Sequence, residues 1–368
     1  MKRGSRPRIE KPMSAVPLEL TVPITPSARF DVIDVRKRIA DLHGDALDPY
    51  PRCLYNSFHT TAGYLDQSLA TRLERRRRGI SGYVTAFRTL FPEGAGYRHD
   101  DLHDRSELSA DQRDVEPRNA DSHLAFMAAG LRTCVTYRNR PQEPVSFVDL
   151  DGVSDGRPRQ RLTSVVGYTS EVEVARVRLD VPVSGHPVDS INLKDPGLGL
   201  YEELAQLIGR HDVIHGRLRL ALTPGERQAG LTVNEYETLL MEHDLIEVLR
   251  DPLRFMAEKS RHALAAPRAV PWRTLDYAKY DLVRAFNEVV EALGLSESMI
   301  ERILARAIGV PASRFLRMKR SVDLLVSDRK SPGVGTIVEG TYQSPILVQW
   351  RPSASRIRHV EATLYQFE

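Results

Sequence analysis

Several stretches of the chain alternate apolar and polar residues. Residues 17–24 alternate and end before Pro26, and residues 53–58 form a second short run rich in strand-forming side chains. Residues 216–222 repeat the alternation in the second half of the chain. Alternation with a period of two is typical of a strand with one buried face. These segments are therefore predicted to be strands.

Other stretches carry apolar residues at helical spacing. Residues 32–42 and 198–208 each predict a helix, and residues 277–316 predict a longer helical region. Residues 162–183 carry two valine-rich runs, which predict a hairpin. Helices interleaved with strands indicate an α+β fold, in which each domain is a mixed sheet packed with helices.

The two halves of the chain present these elements in the same order, which predicts a tandem duplication. The agreement is most specific where residues 58–63 align with residues 225–230, since both end in Ala-Gly. We predict two domains, residues 17–185 and residues 198–368, joined by a linker. Residues 1–16 are basic and rich in helix breakers, so they are predicted to be a disordered tail.

Composition narrows the class of protein. A hydrophobic content of 41% and a charged content of 27% are ordinary for a soluble globular chain. The net charge of +3 is too balanced to indicate nucleic-acid binding. The only cysteines, Cys53 and Cys134, do not suggest a disulfide framework, which favours a cytoplasmic location. No apolar run is long enough to predict a membrane span.

Three histidines lie where a fold could bring them together. His59 follows a predicted strand, His99 lies in a polar loop, and His123 opens a predicted helix. Three imidazoles with an open fourth position make a catalytic zinc site. Two alternatives remain: the same residues could serve without metal as an acid and base or as a phosphate site, or they could be purely structural.

Five motifs resemble those of the YjbQ family, small proteins described as secondary thiamine-phosphate synthases. The first half holds His-Thr-Thr-Ala-Gly at 59–63, Tyr-Arg-His at 97–99 and Asn-Ala-Asp-Ser-His at 119–123. The second half holds Gly-Leu-Thr-Val-Asn-Glu at 230–235 and Gly-Thr-Tyr-Gln at 340–343. The resemblance implies a transferase or lyase like those synthases, or a metal-dependent hydrolase. It also implies a small phosphorylated or heterocyclic substrate and a homo-oligomer.

Each half lacks motifs that the other half keeps. The first half has Tyr-Leu-Asp-Gln at 64–67 in place of the Asn-Glu motif, and residues 166–169 in place of the late Gln motif. In the second half, Glu226 replaces the first histidine and Ala312 the last. These complementary losses predict one composite site between the two domains.

The motifs assign a role to each candidate residue. The predicted catalytic residues are His59, His99, His123 and Glu235, and the three histidines are the predicted ligands of a divalent metal, best satisfied by zinc. The predicted substrate-binding residues are Thr60, Thr61, Asn119, Asp121, Asn234 and Gln343. Glu235 could instead cap a helix start, and Gln343 could instead be a polar residue on an edge strand. A non-catalytic ligand-binding or scaffold protein is the competing interpretation.

Overall fold

The structure, a computed structural model, describes residues 16–105, 108–114, 116–154, 156–236, 240–250, 255, 258–259 and 318–368. Apart from Val16, the predicted tail lies outside these ranges. The predicted helical region 277–316, which includes Ala312, also lies outside them.

Strand pairing divides the chain into an N-terminal half, residues 16–168, and a C-terminal half, residues 171–368. The strands of the N-terminal half are β1 (Leu18–Ile24), β2 (Asp31–Asp34), β3 (Arg52–Ser57), β4 (Ala62–Gly63), β5 (Cys134–Arg138), β6 (Ser146–Asp149), β7 (Val153–Ser154), β8 (Arg157–Pro158) and β9 (Arg161–Tyr168). Those of the C-terminal half are β10 (Glu171–Pro182), β11 (Asp189–Asn192), β12 (Gly216–Leu222), β13 (Ala229–Asn234), β14 (Ser321–Ser327), β15 (Thr336–Val338), β16 (Ser344–Gln349) and β17 (Ile357–Phe367).

The helices connect these strands. They are α1 (Val35–His43), α2 (Gln67–Arg72), α3 (Arg77–Leu90), α4 (Ala110–Arg113), α5 (Ala120–Ala128), α6 (Leu200–Arg210) and α7 (Leu245–Arg250). Short 3-10 helices span Arg98–Asp100 and Pro196–Leu198, and a π-helix spans Leu240–Asp244. Within the described ranges, no helix has the length and apolar character that a membrane crossing requires.

The strand order of the N-terminal half recurs in the C-terminal half. The N-terminal sheets have the orders β1-β9-β3-β5 and β2-β6-β4, and the C-terminal sheets have the orders β10-β17-β12-β14-β15 and β11-β16-β13. With β7, β8 and β15 set aside, the strands correspond one to one in chain order. The register agrees too, since Ala62 pairs with Asp149 and Ala229 pairs with Gln349.

The prediction of mixed sheets is wrong, because every strand pair among the described residues is antiparallel. Parallel neighbours need a crossover that returns to the same sheet. Here α1 joins β2 to β3 and α6 joins β11 to β12, and in both cases the two strands lie in different sheets.

The predicted hairpin over residues 162–183 is also wrong. Both strands exist, but β9 pairs with β1 and β3, whereas β10 pairs with β17. The C-terminal sheet therefore begins at Glu171, well before residue 198. Alternation along a segment predicts a strand, but it does not identify the neighbouring strand.

Buried apolar residues join the two halves. Leu54 and Val166 of the N-terminal sheet share a core cluster with Leu325 of the C-terminal sheet. In the same cluster, the ring of Tyr168 stacks on Phe367, with 3.9 Å between centroids. Burial of each such side chain contributes about 1.5–3 kcal/mol. The boundary between the halves is thus a packed core, and the candidate site lies along it.

Candidate functional site

His99 is held by contacts from both halves. It lies in the 3-10 helix Arg98–Asp100, and its backbone N–H donates to Asp244 Oδ2 at 2.9 Å. Its Nδ1 lies 3.1 Å from Asp100 Oδ1, and Asp100 also accepts the Ala120 N–H at 3.0 Å. The N–H groups of a helix's first turn lack helical partners, so this carboxylate satisfies one of them. The His99 ring is thereby fixed beside the start of α5.

His123 lies on the first turn of α5, and its side chain is 1% exposed. Its Nδ1 lies 2.6 Å from Asn234 Oδ1, and that oxygen also accepts the Glu235 N–H at 2.8 Å. The oxygen can only accept, so His123 carries its hydrogen on Nδ1. Its Nε2 then presents a lone pair at 3.6 Å from Glu235 Oε2.

These contacts bring His99, His123 and Glu235 into one group. One ligand atom from each lies within 4.8 Å of the other two, and the imidazole centroids are 5.2 Å apart. Arg105, which is 1% exposed, places its guanidinium 3.8 Å from the Glu235 carboxylate. Two histidines of the N-terminal half and a carboxylate of the C-terminal half therefore form a buried set of potential metal ligands.

Burial governs protonation in this group. Burial and the neighbouring His99 lower the pKa of His123 to about 3, although the Asn234 hydrogen bond opposes the shift. His123 is therefore neutral at physiological pH, as a metal ligand must be. Burial also raises the pKa of Asp100 to about 6, so Asp100 is mostly ionised at pH 7 and can accept from His99.

His59 does not join this group. It lies in the turn between β3 and β4, where its Nε2 accepts the Leu162 N–H at 2.8 Å. Its Nδ1 is 3.5 Å from Arg161 Nη1. Burial and the charge of Arg161 lower its pKa to about 3. Because the turn lays the ring against the start of β9, the structure does not bring together the three-histidine ligand set predicted from the sequence.

A buried ion-pair network lies beside His59. Arg161 donates to both oxygens of Asp149, at 2.7 and 2.9 Å, and to the Asp151 carbonyl at 2.6 Å. It also lies 3.5 Å from the hydroxyl of Thr61. Sequence reasoning missed this network, although acidic residues at 149 and 151 followed by arginines at 157, 159 and 161 were a visible signal.

The predicted substrate-binding residues of the N-terminal half contact protein groups. Asn119 donates to Asp151 Oδ2 at 2.7 Å, and Asp121 accepts from Arg29 at 2.8 Å. Thr60 is partly exposed in the His59 turn. A role in substrate binding stays a prediction for these residues.

Gln343 reaches across from the C-terminal half to the His59 turn. Its Nε2 donates to the carbonyls of Ser57 at 2.9 Å and His59 at 3.0 Å, and its Oε1 accepts the Gly340 N–H at 2.9 Å. Both amide hydrogens are thus used by the protein. Gly340 makes this approach possible, since a Cβ there would lie 1.9 Å from the Phe58 carbonyl oxygen. Gln343 therefore holds the backbone of the His59 turn.

Comparison with solved structures finds chains that are similar to about half of this one. A "YbjQ-like protein of unknown function" from Sulfolobus solfataricus is 13% identical, with 54% of this chain and 99% of that chain covered and a TM-score of 0.29. A hypothetical protein from Aeropyrum pernix K1 is 19% identical, with 53% and 100% covered and a TM-score of 0.28. An uncharacterized protein of the YjbQ/UPF0047 family from Clostridium acetobutylicum is 12% identical, with 51% and 98% covered and a TM-score of 0.27.

The structure matches YjbQ/UPF0047 proteins over about half of the chain, at low sequence identity. No protein-family model and no curated protein matches the sequence. The structural match concerns the fold and assigns no substrate, metal or activity to this chain.

Proposed function

We propose that the protein is a metal-dependent enzyme, of transferase or hydrolase type, that acts on a small phosphorylated or heterocyclic metabolite. His99, His123 and Glu235 would hold the divalent ion, and zinc suits this ligand set best. The observation that carries the proposal is the convergence of two imidazoles and one carboxylate in a buried group. Two histidines and one glutamate are a ligand set of catalytic zinc sites, which keep a further position open.

The residues present fit a metal in three respects. His99 and His123 each direct Nδ1 to an oxygen, at 3.1 and 2.6 Å, and the hydrogen on His123 Nδ1 leaves the lone pair of its Nε2 for the ion. Oxygen partners of this kind orient ligand histidines in known metal sites. The His123 Nε2 lone pair also lies 3.6 Å from the carboxylate of Glu235. Two electron-rich atoms so close in a buried place are stabilised by a cation between them.

Each surrounding residue has a physical role in this proposal. A bound divalent ion would act as a Lewis acid and would lower the pKa of a bound water. Arg105 offsets part of the charge of Glu235 from 3.8 Å. His59, neutral because its pKa is about 3, can accept a proton only weakly, so its ring is better suited to orienting substrate. Gln343 fixes the turn that carries it.

We also infer that the chain is a tandem duplication that has kept one composite site. The recurring strand order supports this, as do equivalent hydrogen bonds in the two halves. The Leu162 N–H donates to His59, and the His359 N–H donates to Glu226 at 3.0 Å. The duplication explains why a histidine of one half meets the Asn-Glu pair of the other.

A second candidate is a ligand-binding or scaffold protein without catalysis. The observation that favours it is the ion pair between Glu226 and Arg358, at 2.7 Å, where the N-terminal half has His59 and Arg161. The C-terminal half therefore has a buried ion pair where the N-terminal half has a histidine.

Turnover assays distinguish the two candidates. The zinc-loaded protein is incubated with p-nitrophenyl phosphate and with a panel of phosphorylated heterocycles, with and without a chelator. We expect turnover that the chelator and His99→Ala both abolish. His103→Ala is the matched control, since His103 is an exposed histidine four residues away. Zinc binding without turnover of any panel member would favour the scaffold interpretation.

A further inference from the structure

Arg159 lies next to the buried ion-pair network of Asp149, Asp151 and Arg161. It directly follows the β7–β8 hairpin, and its backbone N–H donates to the Gly152 carbonyl at 2.8 Å. Pro158 restricts the backbone just before it. The Arg159 side chain is nevertheless 33% exposed. A backbone held by this hydrogen bond and by the preceding proline thus carries a partly exposed side chain.

One edge of this guanidinium is anchored by a buried carboxylate. Arg159 Nη1 donates to Asp151 Oδ2, and the side chain of Asp151 is fully buried. Asn119 holds the same oxygen with a hydrogen bond of 2.7 Å. A guanidinium has five N–H donors. Within the described part of the chain, the Arg159 side chain makes no second hydrogen bond, so most of its donors are available to a ligand.

Asp151 links Arg159 to both histidine-bearing parts of the site. Asn119, which shares Asp151 Oδ2 with Arg159, directly precedes α5, the helix that carries one of the candidate metal ligands. The Asp151 carbonyl accepts a hydrogen bond from Arg161, whose Nη1 lies 3.5 Å from His59 Nδ1. The Arg159 side chain is therefore tied through Asp151 to the His59 turn and to the start of α5.

The C-terminal half lacks this arrangement. The paired registers make Arg356 the counterpart of Arg159, and they place Arg351 where the N-terminal half has Asp151. The counterpart arginine therefore has no buried carboxylate at the equivalent position to orient it. The anchored guanidinium is a feature of the N-terminal half, which is also the half that supplies His99 and His123.

We propose that Arg159 binds an oxyanion group of the substrate, a phosphate or a carboxylate, and so selects anionic substrates. The planar fork of arginine matches both groups with two parallel hydrogen bonds. Because Asp151 already orients the fork, little side-chain entropy is lost on binding. The link to catalysis rests on the proposed function, whereas anion binding itself depends on Arg159 alone.

Calorimetric titration with inorganic phosphate, and separately with acetate, tests the proposal on zinc-free and zinc-loaded protein. We expect Arg159→Gln to weaken binding by about tenfold or more, the effect of losing one charged contact. Arg159→Lys should be intermediate, because it keeps the charge and loses the fork. Arg157→Gln is the control, an exposed arginine on the same hairpin, and should stay within about twofold of wild type. The anion that binds more tightly shows whether the substrate group at Arg159 is a phosphate or a carboxylate.

Zinc affinity separates this proposal from the previous one. Arg159→Gln should bind zinc within about twofold of wild type, so a failure of wild-type protein to bind zinc would count only against the proposed function.

If Arg159→Gln does not fold, phosphate protection of Arg159 from phenylglyoxal in wild-type protein replaces it, with Arg157 as the internal control. Equal phosphate affinity in Arg159→Gln and wild type would overturn the proposal. So would an equal loss in Arg157→Gln, or equal labelling of Arg159 with and without phosphate.

Discussion

At the scale of single residues, the partner of each Nδ1 decides what a histidine of this protein can do. His123 and His99 direct Nδ1 to side-chain oxygens, at 2.6 and 3.1 Å. His59 instead accepts the Leu162 N–H at Nε2. The same residue type, in three motifs that look equivalent in the sequence, thus falls into two chemical classes.

Asn234 should tune the affinity for metal through His123. Asn234→Ala removes the acceptor of the Nδ1 hydrogen, and the loss of such a partner typically costs 10–100-fold in affinity. Asn234→Asp keeps an acceptor and should retain affinity within about tenfold of wild type. Zinc titration against a chromophoric chelator measures both variants. Equal affinity in Asn234→Ala and wild type would show that His123 is not a ligand.

His59 should destabilise the fold as the pH falls. Its pKa is about 3 in the folded protein and about 6.5 when unfolded, so only the unfolded state takes up a proton between these values. Stability then decreases with falling pH by up to about 1.4 kcal/mol per pH unit in that window.

Urea unfolding of metal-free wild type and His59→Gln, at pH 7, 6, 5 and 4, isolates this contribution. Other titrating groups cancel in the difference between the two proteins. The stability of wild type relative to the variant should fall steadily below pH 6.5. A difference that does not vary with pH would mean that His59 titrates normally in the fold.

At the scale of elements, the turn after β3 and the segment after β12 occupy equivalent places in the two halves but carry different side chains. His59 beside Arg161 in the first becomes Glu226 paired with Arg358 in the second. His59 accepts the Leu162 N–H near the start of β9, and Glu226 accepts the His359 N–H near the start of β17. Replacing an imidazole by a carboxylate turns the position into a buried ion pair, which holds the chain in place.

Gln343 should stabilise the turn that carries His59. Gln343→Ala leaves the buried Ser57 carbonyl without its donor, and an unsatisfied group of this kind costs about 1–3 kcal/mol. Denaturant unfolding measures the loss. Gln366→Ala, at an exposed position on β17, should change stability by less than about 0.5 kcal/mol. If the two variants were equally stable, Gln343 would not hold the turn.

At the scale of the whole molecule, the two halves share a core as well as the candidate site. Leu240 and Leu245 of the C-terminal half belong to the same buried apolar cluster as Leu124 and Phe126 of α5. Glu235 comes from that same part of the chain, immediately after β13. Binding a ligand at the site should therefore stabilise both halves together.

Thermal unfolding should show one transition that zinc shifts upward as a whole. At a free zinc concentration of 100 times the dissociation constant, the expected stabilisation is about 2.7 kcal/mol. Glu235→Gln should lose most of this shift and keep the single transition. Two separate transitions, of which zinc moves only one, would mean that the halves unfold independently.

Local patterns in the sequence predict part of this structure and miss what depends on distant contacts. The strand-forming side chains of residues 53–58 correctly predict β3, and the alternation of residues 216–222 correctly predicts β12. The partner of β10 is not predictable in this way, because pairing with β17 depends on residues almost 200 positions away. The group of His99, His123 and Glu235 includes three of the predicted catalytic residues. His59 lies outside this group because its ring accepts a hydrogen bond from the Leu162 N–H, a contact that local sequence patterns do not reveal.

Anomalous diffraction at the zinc edge, from crystals of the zinc-loaded protein, tests the central claim most directly. A single strong peak is expected between His99, His123 and Glu235, at about 2.0–2.2 Å from one atom of each. The peak should disappear in Glu235→Gln and persist in His103→Ala. A peak bonded to His59, or no peak near Glu235, would contradict the composite metal site.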